Sequence, residues 1–488
     1  MTQFLKKMLK FAMVCITLSG FSPLTAQNRA EAMQPTFPDM LTSDNRFARP
    51  LGHMLDTIAQ RYKIRYRIMP GGDTTGLILP YAESRLRPYS MEESLTNVLA
   101  YFDLKWEKVG DSYRIKPYEY MRRRDDDGEK MLNYLSTLYD DSTSFNARRK
   151  ILKQEFRRRV GVDRILKHCV ANTLADDASH RVVPHVTSGK IRKMDGYTVQ
   201  NFALETLPGL YACGTIYAPR RSSKGEKLPL IVCPNGHFAN GRYNPDLQKR
   251  MATLARMGAV VVGWDLFGWG ESELQVGKPA HETSVAQPIQ LVSGWLIFDW
   301  LVKYRGDIDT TRLAVNGGSG GGTHCVMLTM LDERFTAACP VVSFCSHFDG
   351  GCPCESGMGQ QLIAGGSCNA ELAACFVPKP LGFVTDGGDW TRTAPLMEMP
   401  YLYRIYRFFN ATGNLTNYHF DADRHDFGPN KRNSVYDFFA RTFRMDASQI
   451  DESRVTIEEA SALQTFGSID KMPAGAIKSY EEFQQLFK

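Results

Sequence analysis

The spacing of apolar positions divides the chain into regions of different character. Between residues 47 and 120, Leu51, Leu55, Ile58 and Tyr62 recur at helical spacing, and Ile64, Tyr66 and Ile68 then alternate as a strand does. A second helix runs through Leu95, Val98 and Leu99. Leu104-Lys105-Trp106-Glu107, a Gly110-Asp111 turn and Tyr113-Arg114-Ile115 predict a hairpin, which completes a small α+β unit. Residues 121–190 open as a charged, solvated linker, with Arg122, Arg123 and Arg124 answered by Asp125, Asp126 and Asp127. Helical segments from Glu129 to Tyr139 and from Ala147 to Val170 follow, and their mixed faces predict a cover on the next domain. Within residues 191–445, short β-runs alternate with helices from Tyr197 to about Phe443. This alternation predicts a three-layer α/β domain with a mostly parallel sheet. The remainder, 446–488, is polar and partly helical, and is expected to lie on the surface.

The first residues read as an export signal. Lys6, Lys7 and Lys10 precede an apolar run from Phe11 to Leu18, and small residues lead to a cut expected after Ala26. The run is too short to span a bilayer, and no later segment is apolar enough to do so. The mature protein is therefore expected in the periplasm or outside the cell, with 27–46 as a flexible leader. Cys15 follows the bulky Val14 rather than a small residue, which argues against lipidation.

Composition narrows the functions further. The 488 residues are 43% hydrophobic with a net charge of +6, and no long basic run marks a nucleic-acid partner. Cys233, Cys325 and Cys339 lie in apolar runs, where thiols serve as small hydrophobes. Cys352, Cys354 and Cys368 sit among glycines and polar residues, a setting open to one loop disulfide. Together with Glu355 they are also candidate metal ligands. Cys-x-Cys lacks the spaced second pair of a zinc site, so neither metal nor cofactor is expected.

The chemistry concentrates at Asn316-Gly317-Gly318-Ser319-Gly320-Gly321-Gly322, between the strand Leu313-Ala314-Val315 and a helix from Thr323. This is G-x-S-x-G in the setting it requires, a strand before and a helix after. Glycines on either side let strand and helix approach, and the Gly320 amide at the helix start can donate to an oxyanion. A phosphate loop would end in Gly-Lys-Ser/Thr, which is absent. Ser319 is the expected nucleophile.

A serine hydroxyl needs a base, and in this class the order along the chain is Ser, acid, His. His425 lies in Asp423-Arg424-His425-Asp426-Phe427-Gly428, a loop between an extended run and a helix. Its rival His419 falls inside the extended run, where a structural role is expected. Between serine and histidine, the strand from Pro380 to Thr385 ends at Asp386-Gly387-Gly388-Asp389. Spacing favours Asp389 as the acid and leaves Asp386 as a structural partner; Asp349 and Glu355 are outside candidates. The second oxyanion donor is expected at the His237 amide, after the strand Leu230-Ile231-Val232-Cys233, with the His237 ring as a wall of the site. The turn from Asp265 to Ser272 is read as structural, and Trp269 and Trp390 are candidate cleft residues.

With these residues in view, the chain from about 145 to 443 resembles the acetyl xylan esterase-like branch of the α/β-hydrolases. It looks in particular like the esterase-like proteins encoded beside SusD/RagB glycan-uptake genes in Bacteroidetes. The matching pieces are Gly196-Tyr197-Thr198-Val199, Leu207-Pro208-Gly209-Leu210-Tyr211, the glycines around Ser319, Gly350-Gly351-Cys352-Pro353-Cys354-Glu355, Asp386 to Thr391 and His425 to Arg432. The resemblance implies removal of acyl groups, acetyl foremost, from glycans. Asn235 stands where familiar esterases have histidine before Gly236. Residues 47–120 resemble the short N-terminal domain of secretins and TonB-dependent receptors, which implies a protein partner in the envelope. The competing readings are a peptidase of the same fold and a docking or sensing protein with a vestigial hydrolase.

Overall fold

The computed structural model describes residues 49–69, 74–75, 77–78, 90–99, 104–117, 125–170, 185–220, 225–348, 350–355 and 363–487. The export signal, the leader, Arg122 to Arg124 and Asp349 lie outside the described residues.

The N-terminal unit contains β1 (Arg49–Pro50), β2 (Arg65–Ile68), β3 (Leu77–Ile78), β4 (Leu104–Val109) and β5 (Ser112–Pro117). β1 pairs with β3, and the other strands form a sheet in the order β2-β5-β4. Helices Leu51–Tyr62 and Met91–Leu99 supply Leu51, Leu55, Ile58, Leu95 and Val98, which meet Tyr113 and Ile115 in a core of their own.

A ten-stranded sheet follows. Its strands are β6 (Val186–Ser188), β7 (Arg192–Lys193), β8 (Tyr197–Leu207), β9 (Leu210–Pro219), β10 (Leu228–Pro234), β11 (Val260–Trp264), β12 (Ile308–Gly318), β13 (Ala337–Val341), β14 (Leu381–Asp386) and β15 (Leu415–Phe420). The order is β15-β14-β13-β12-β10-β11-β9-β8-β6, with β7 alongside β8. Pairings from β11 across β10 to β15 are parallel, and β9, β8, β7 and β6 add an antiparallel edge.

Strand alternation explains the layers. Leu230 and Val232 of β10, Val260 and Val262 of β11, and Leu313 and Val315 of β12 enter one apolar core, which the helix Ala286–Tyr304 covers. Ile231, Val261 and Ala314 point to the opposite core, beneath the helices Pro245–Arg256 and Pro429–Phe443. Both faces are buried, so the strands read as continuous apolar runs. β11 lies on one side of β10 and β12 on the other, which makes the gap beyond β10 and β12 the switch point where such sheets place their ligands. Among the described residues, no helix is long and apolar enough to cross a membrane.

Two expectations change. The acidic run Asp125, Asp126 and Asp127 stays solvated but is not a linker: it is the first turn of the helix Asp125–Ser136, where carboxylates complement the exposed amides. Asp125 also pairs with Arg392. The C-terminal segment is less superficial than its polarity suggests. Leu463, Phe466 and Phe483 are buried, and the Glu271 carboxylate accepts from the amides of Thr465, Phe466 and Gly467.

The helical cover is fixed by charge as well as packing. The helix Ser142–Val160 is capped by Asp141, which accepts from the Ser144 amide at 2.7 Å. From its middle, Arg148 makes a two-pronged contact with Glu371 at 2.8 and 2.9 Å, both side chains being buried. Ser367 Oγ donates to the same carboxylate. Removing one partner strands the other charge, so Arg148→Ala is expected to cost about 3–5 kcal/mol of stability, read from a denaturant midpoint.

Candidate active site

Ser319 sits between the last residue of β12 and the helix Gly320–Leu331, with φ +56° and ψ −127°. That is a costly backbone conformation for a residue with a side chain, on the order of 1–3 kcal/mol, and the surroundings hold it in place. Its amide donates to the Val341 carbonyl of β13 at 2.9 Å, and its carbonyl accepts from Gly322 and Thr323 at 2.8 and 3.1 Å. The neighbouring loop presses close. A Cβ on Gly236 would come within 2.2 Å of the Gly318 carbonyl oxygen and 3.1 Å of Ser319 Cβ, so only glycine fits there.

The structure brings Ser319, His425 and Asp389 together. His425 Nε2 lies 2.9 Å from Ser319 Oγ, and His425 Nδ1 lies 2.6 Å from Asp389 Oδ2. Oδ1 of Asp389 is occupied separately: the Thr391 amide and hydroxyl both donate to it at 2.6 Å. Burial alone would raise the Asp389 carboxyl; the bonds from His425 and Thr391 outweigh it and hold the group below the usual value.

Asp386 faces the other way. Burial and the charge of Asp389 raise its carboxyl above the usual value, against the pull of Lys431. Lys431 comes from the first turn of the helix Pro429–Phe443 and is fully buried. Its ammonium contacts Asp386 at 3.2 Å, Asp423 at 3.3 Å and Asp426 at 2.9 Å, and donates to the Arg424 carbonyl at 2.7 Å. Both ends of the histidine loop are thereby tied to the end of β14. This anchor was not read from the sequence: a lysine beside a helix start looks like an exposed charge until the three carboxylates converge on it.

Aromatic rings set the orientation of His425. Trp390 lies against it at 4.4 Å between ring centres and Phe238 stacks at 6.3 Å, while Phe348 backs Trp390 at 4.4 Å. The rival His419 points elsewhere, to Thr385 and Asp421, as a strand histidine would. Asp265 is tied to Arg242 at 2.9 Å and accepts from the Glu271 amide at 3.1 Å, so it holds its turn.

The His237 ring lies against Gly320, the residue that follows Ser319. A Cβ on Gly320 would lie 2.9 Å from the His237 ring and 2.7 Å from Glu355 Oε2. The amide of Gly320 opens its helix, where no intrahelical acceptor exists for it. Glu355 is turned toward His237 Nδ1, at 3.6 Å, and not toward His425. The His237 ring is more than a wall: its Nε2 lies 2.8 Å from His281 Nε2, 3.1 Å from Cys352 Sγ and 3.2 Å from Cys354 Sγ. The two sulfurs are 2.8 Å apart, beyond the ~2.05 Å of a disulfide bond. Cys368 is the residue before the buried helix Asn369–Ala374 and takes no part in this group. Two histidines from distant loops thus stand beside the Cys-x-Cys pair, a juxtaposition that spacing along the chain does not reveal.

An open, mostly parallel sheet with a strained serine corner at its switch point defines an α/β-hydrolase. No protein-family model and no curated protein matches the sequence. Among solved structures, methylesterase BT1017 is 55% identical, with 92% of this chain and 97% of that one covered and a TM-score of 0.72. The chain belongs to the family of that methylesterase. More distant are a glucuronoyl esterase from Solibacter usitatus and an acetyl xylan esterase from Paenibacillus sp. R4. The first is 12% identical over 61% of this chain and 93% of that one, with a TM-score of 0.42; the second is 15% identical over 56% and 92%, with a TM-score of 0.40.

Proposed function

We propose that the protein is an exported serine esterase that removes methyl groups from esterified carboxylates on glycans. Ser319 Oγ attacks the ester carbonyl while His425 Nε2 takes its proton, and Asp389 holds the imidazole and stabilises its charged form. The amides of Gly320 and His237 receive the negative charge on the carbonyl oxygen. Methanol leaves with the proton from His425. Water, activated by the same imidazole, then cleaves the acyl-enzyme and frees the carboxylate.

The observation that carries the mechanism is the continuous hydrogen-bonded chain from Ser319 Oγ through His425 to Asp389. The methyl ester as substrate rests on the 55% identity to a methylesterase, and export rests on the N-terminal pattern. The reading is tested by giving the full chain a methyl-esterified polyuronide, an acetylated xylan and peptide amides. Methanol release well above acetate release, with no amide cleavage, is the expected result. Preferred acetate release would overturn the methyl assignment, and amide cleavage would make the protein a peptidase.

A further inference from the structure

We propose that His237 Nε2, His281 Nε2, Cys352 Sγ and Cys354 Sγ are the four ligands of a tetrahedral zinc ion. The ion would clamp three loops together beside the oxyanion corner. All four donor atoms lie within 4.8 Å of one another, and each comes from a residue type that zinc favours.

The hydrogen-bond arithmetic of the cluster calls for a cation. His281 Nδ1 lies 2.7 Å from the Phe267 carbonyl, which can only accept, so Nδ1 carries the proton and a neutral ring presents a bare lone pair at Nε2. That lone pair faces His237 Nε2 at 2.8 Å and Cys352 Sγ at 3.4 Å. His237 Nε2 in turn faces both sulfurs. Four lone-pair donors thus converge on one point with at most a few protons to share among them. One divalent ion, with both thiols ionised, satisfies all four together. Zn–N near 2.0–2.1 Å and Zn–S near 2.3 Å imply donor separations of about 3.3 to 3.8 Å in a tetrahedron. The donors in contact stand 2.8 to 3.4 Å apart; the sulfur pair and the nitrogen pair, both at 2.8 Å, are about 1 Å and about 0.5 Å closer than that figure, so both pairs would open to seat the ion.

The surrounding shell has the form expected of a metal site. Ligating imidazoles usually direct their other nitrogen to a carbonyl or a carboxylate. Here His281 uses Phe267, and His237 Nδ1 faces Glu355 Oε1 at 3.6 Å. Glu355 is itself held by the Gly351 amide at 2.6 Å. Trp269 lies edge-on to both imidazoles, at 5.6 and 5.3 Å, and His281 and Cys354 are buried. Four protein ligands and a closed surround make a structural site, not one that binds a reacting water.

The consequence for catalysis concerns His237, whose ring would be a ligand while its amide is the proposed second oxyanion donor. The ligand set stands on its own geometry; only this consequence rests on the esterase reading. The test is metal content of the full chain, purified reduced and without chelator after growth with zinc. About one zinc per chain is expected, and it should be lost in Cys352→Ser and in His281→Ala but kept in the exposed control His185→Ala. Exchange of wild-type protein with Co(II) should give the intense visible bands and sulfur charge-transfer absorption of a tetrahedral thiolate site, a readout that needs no variant to fold. Fluorophosphonate labelling of Ser319 reports separately on the hydrolase. A wild-type chain that holds neither zinc nor cobalt in stoichiometric amount, zinc retained by both variants, or a Cys352–Cys354 disulfide found by mass spectrometry in the purified protein would each overturn the proposal.

Discussion

Ser319→Ala is expected to lower kcat on a methyl ester by on the order of 10⁵- to 10⁶-fold, to abolish labelling by a fluorophosphonate probe, and to leave folding nearly intact. The size of the loss follows from the unit nature of the three residues: with the hydroxyl gone, the imidazole and carboxylate have no proton to move, and only binding and oxyanion contacts remain. Folding should survive because the hydroxyl's contact in the resting protein is to His425, at 2.9 Å, and alanine keeps the Cβ that packs at the corner. The positive φ of +56° stays unfavourable for alanine as it is for serine, so the strain cancels between the two. Labelling of wild-type protein at a residue other than Ser319, or full activity in the variant, would remove the nucleophile from the proposed mechanism.

The sheet and the serine corner were legible in the sequence because each is written locally. A short apolar run such as Leu230-Ile231-Val232-Cys233, closed at once by Pro234, reads as a strand buried on both faces, and a run of glycines around a serine after such a strand permits few geometries. The approach of His425 to Ser319, 106 positions apart, follows from chain order and from the loop setting of this histidine, and the two side chains stand in hydrogen-bond contact. What stayed hidden depends on contacts between loops that carry no mutual pattern. Lys431 gathers Asp386, Asp423 and Asp426, and His281 meets Cys352 across 71 positions; neither residue stands in a spacing that marks its partners. The same limit explains why Asp125 to Asp127 read as a linker. Charge runs look like linkers until a helix start and a cation such as Arg392 come to meet them.

Asp389→Asn is expected to cost about 10⁴-fold in kcat while Asp386→Asn costs less than about tenfold, a contrast that follows from what each carboxylate touches. The Thr391 amide and hydroxyl both donate to Oδ1 of Asp389, so in the asparagine variant that position must be filled by the amide oxygen. The NH₂ group then faces His425 Nδ1, which is forced to accept. Its proton moves to Nε2, and Nε2 can no longer take the proton of Ser319. Asp386 has no contact with the imidazole. Its loss leaves Lys431 held by Asp423, Asp426 and the Arg424 carbonyl, and burial beside Asp389 already disfavours its charged form, so the expected change in stability is less than about 1.5 kcal/mol, seen as a nearly unchanged Tm. The two carboxyls also separate by pH. Asp389 is held below the usual carboxylate range, so its contribution to folding is complete above an ordinary pKa of about 4 and is lost only as pH falls through the depressed value. Activity lost on mild acidification, above that range, must then come from another group. Equal losses of kcat in the two variants would show that the acid has been misassigned, and a tenfold or smaller loss in Asp389→Asn would show that tautomer control is not its role.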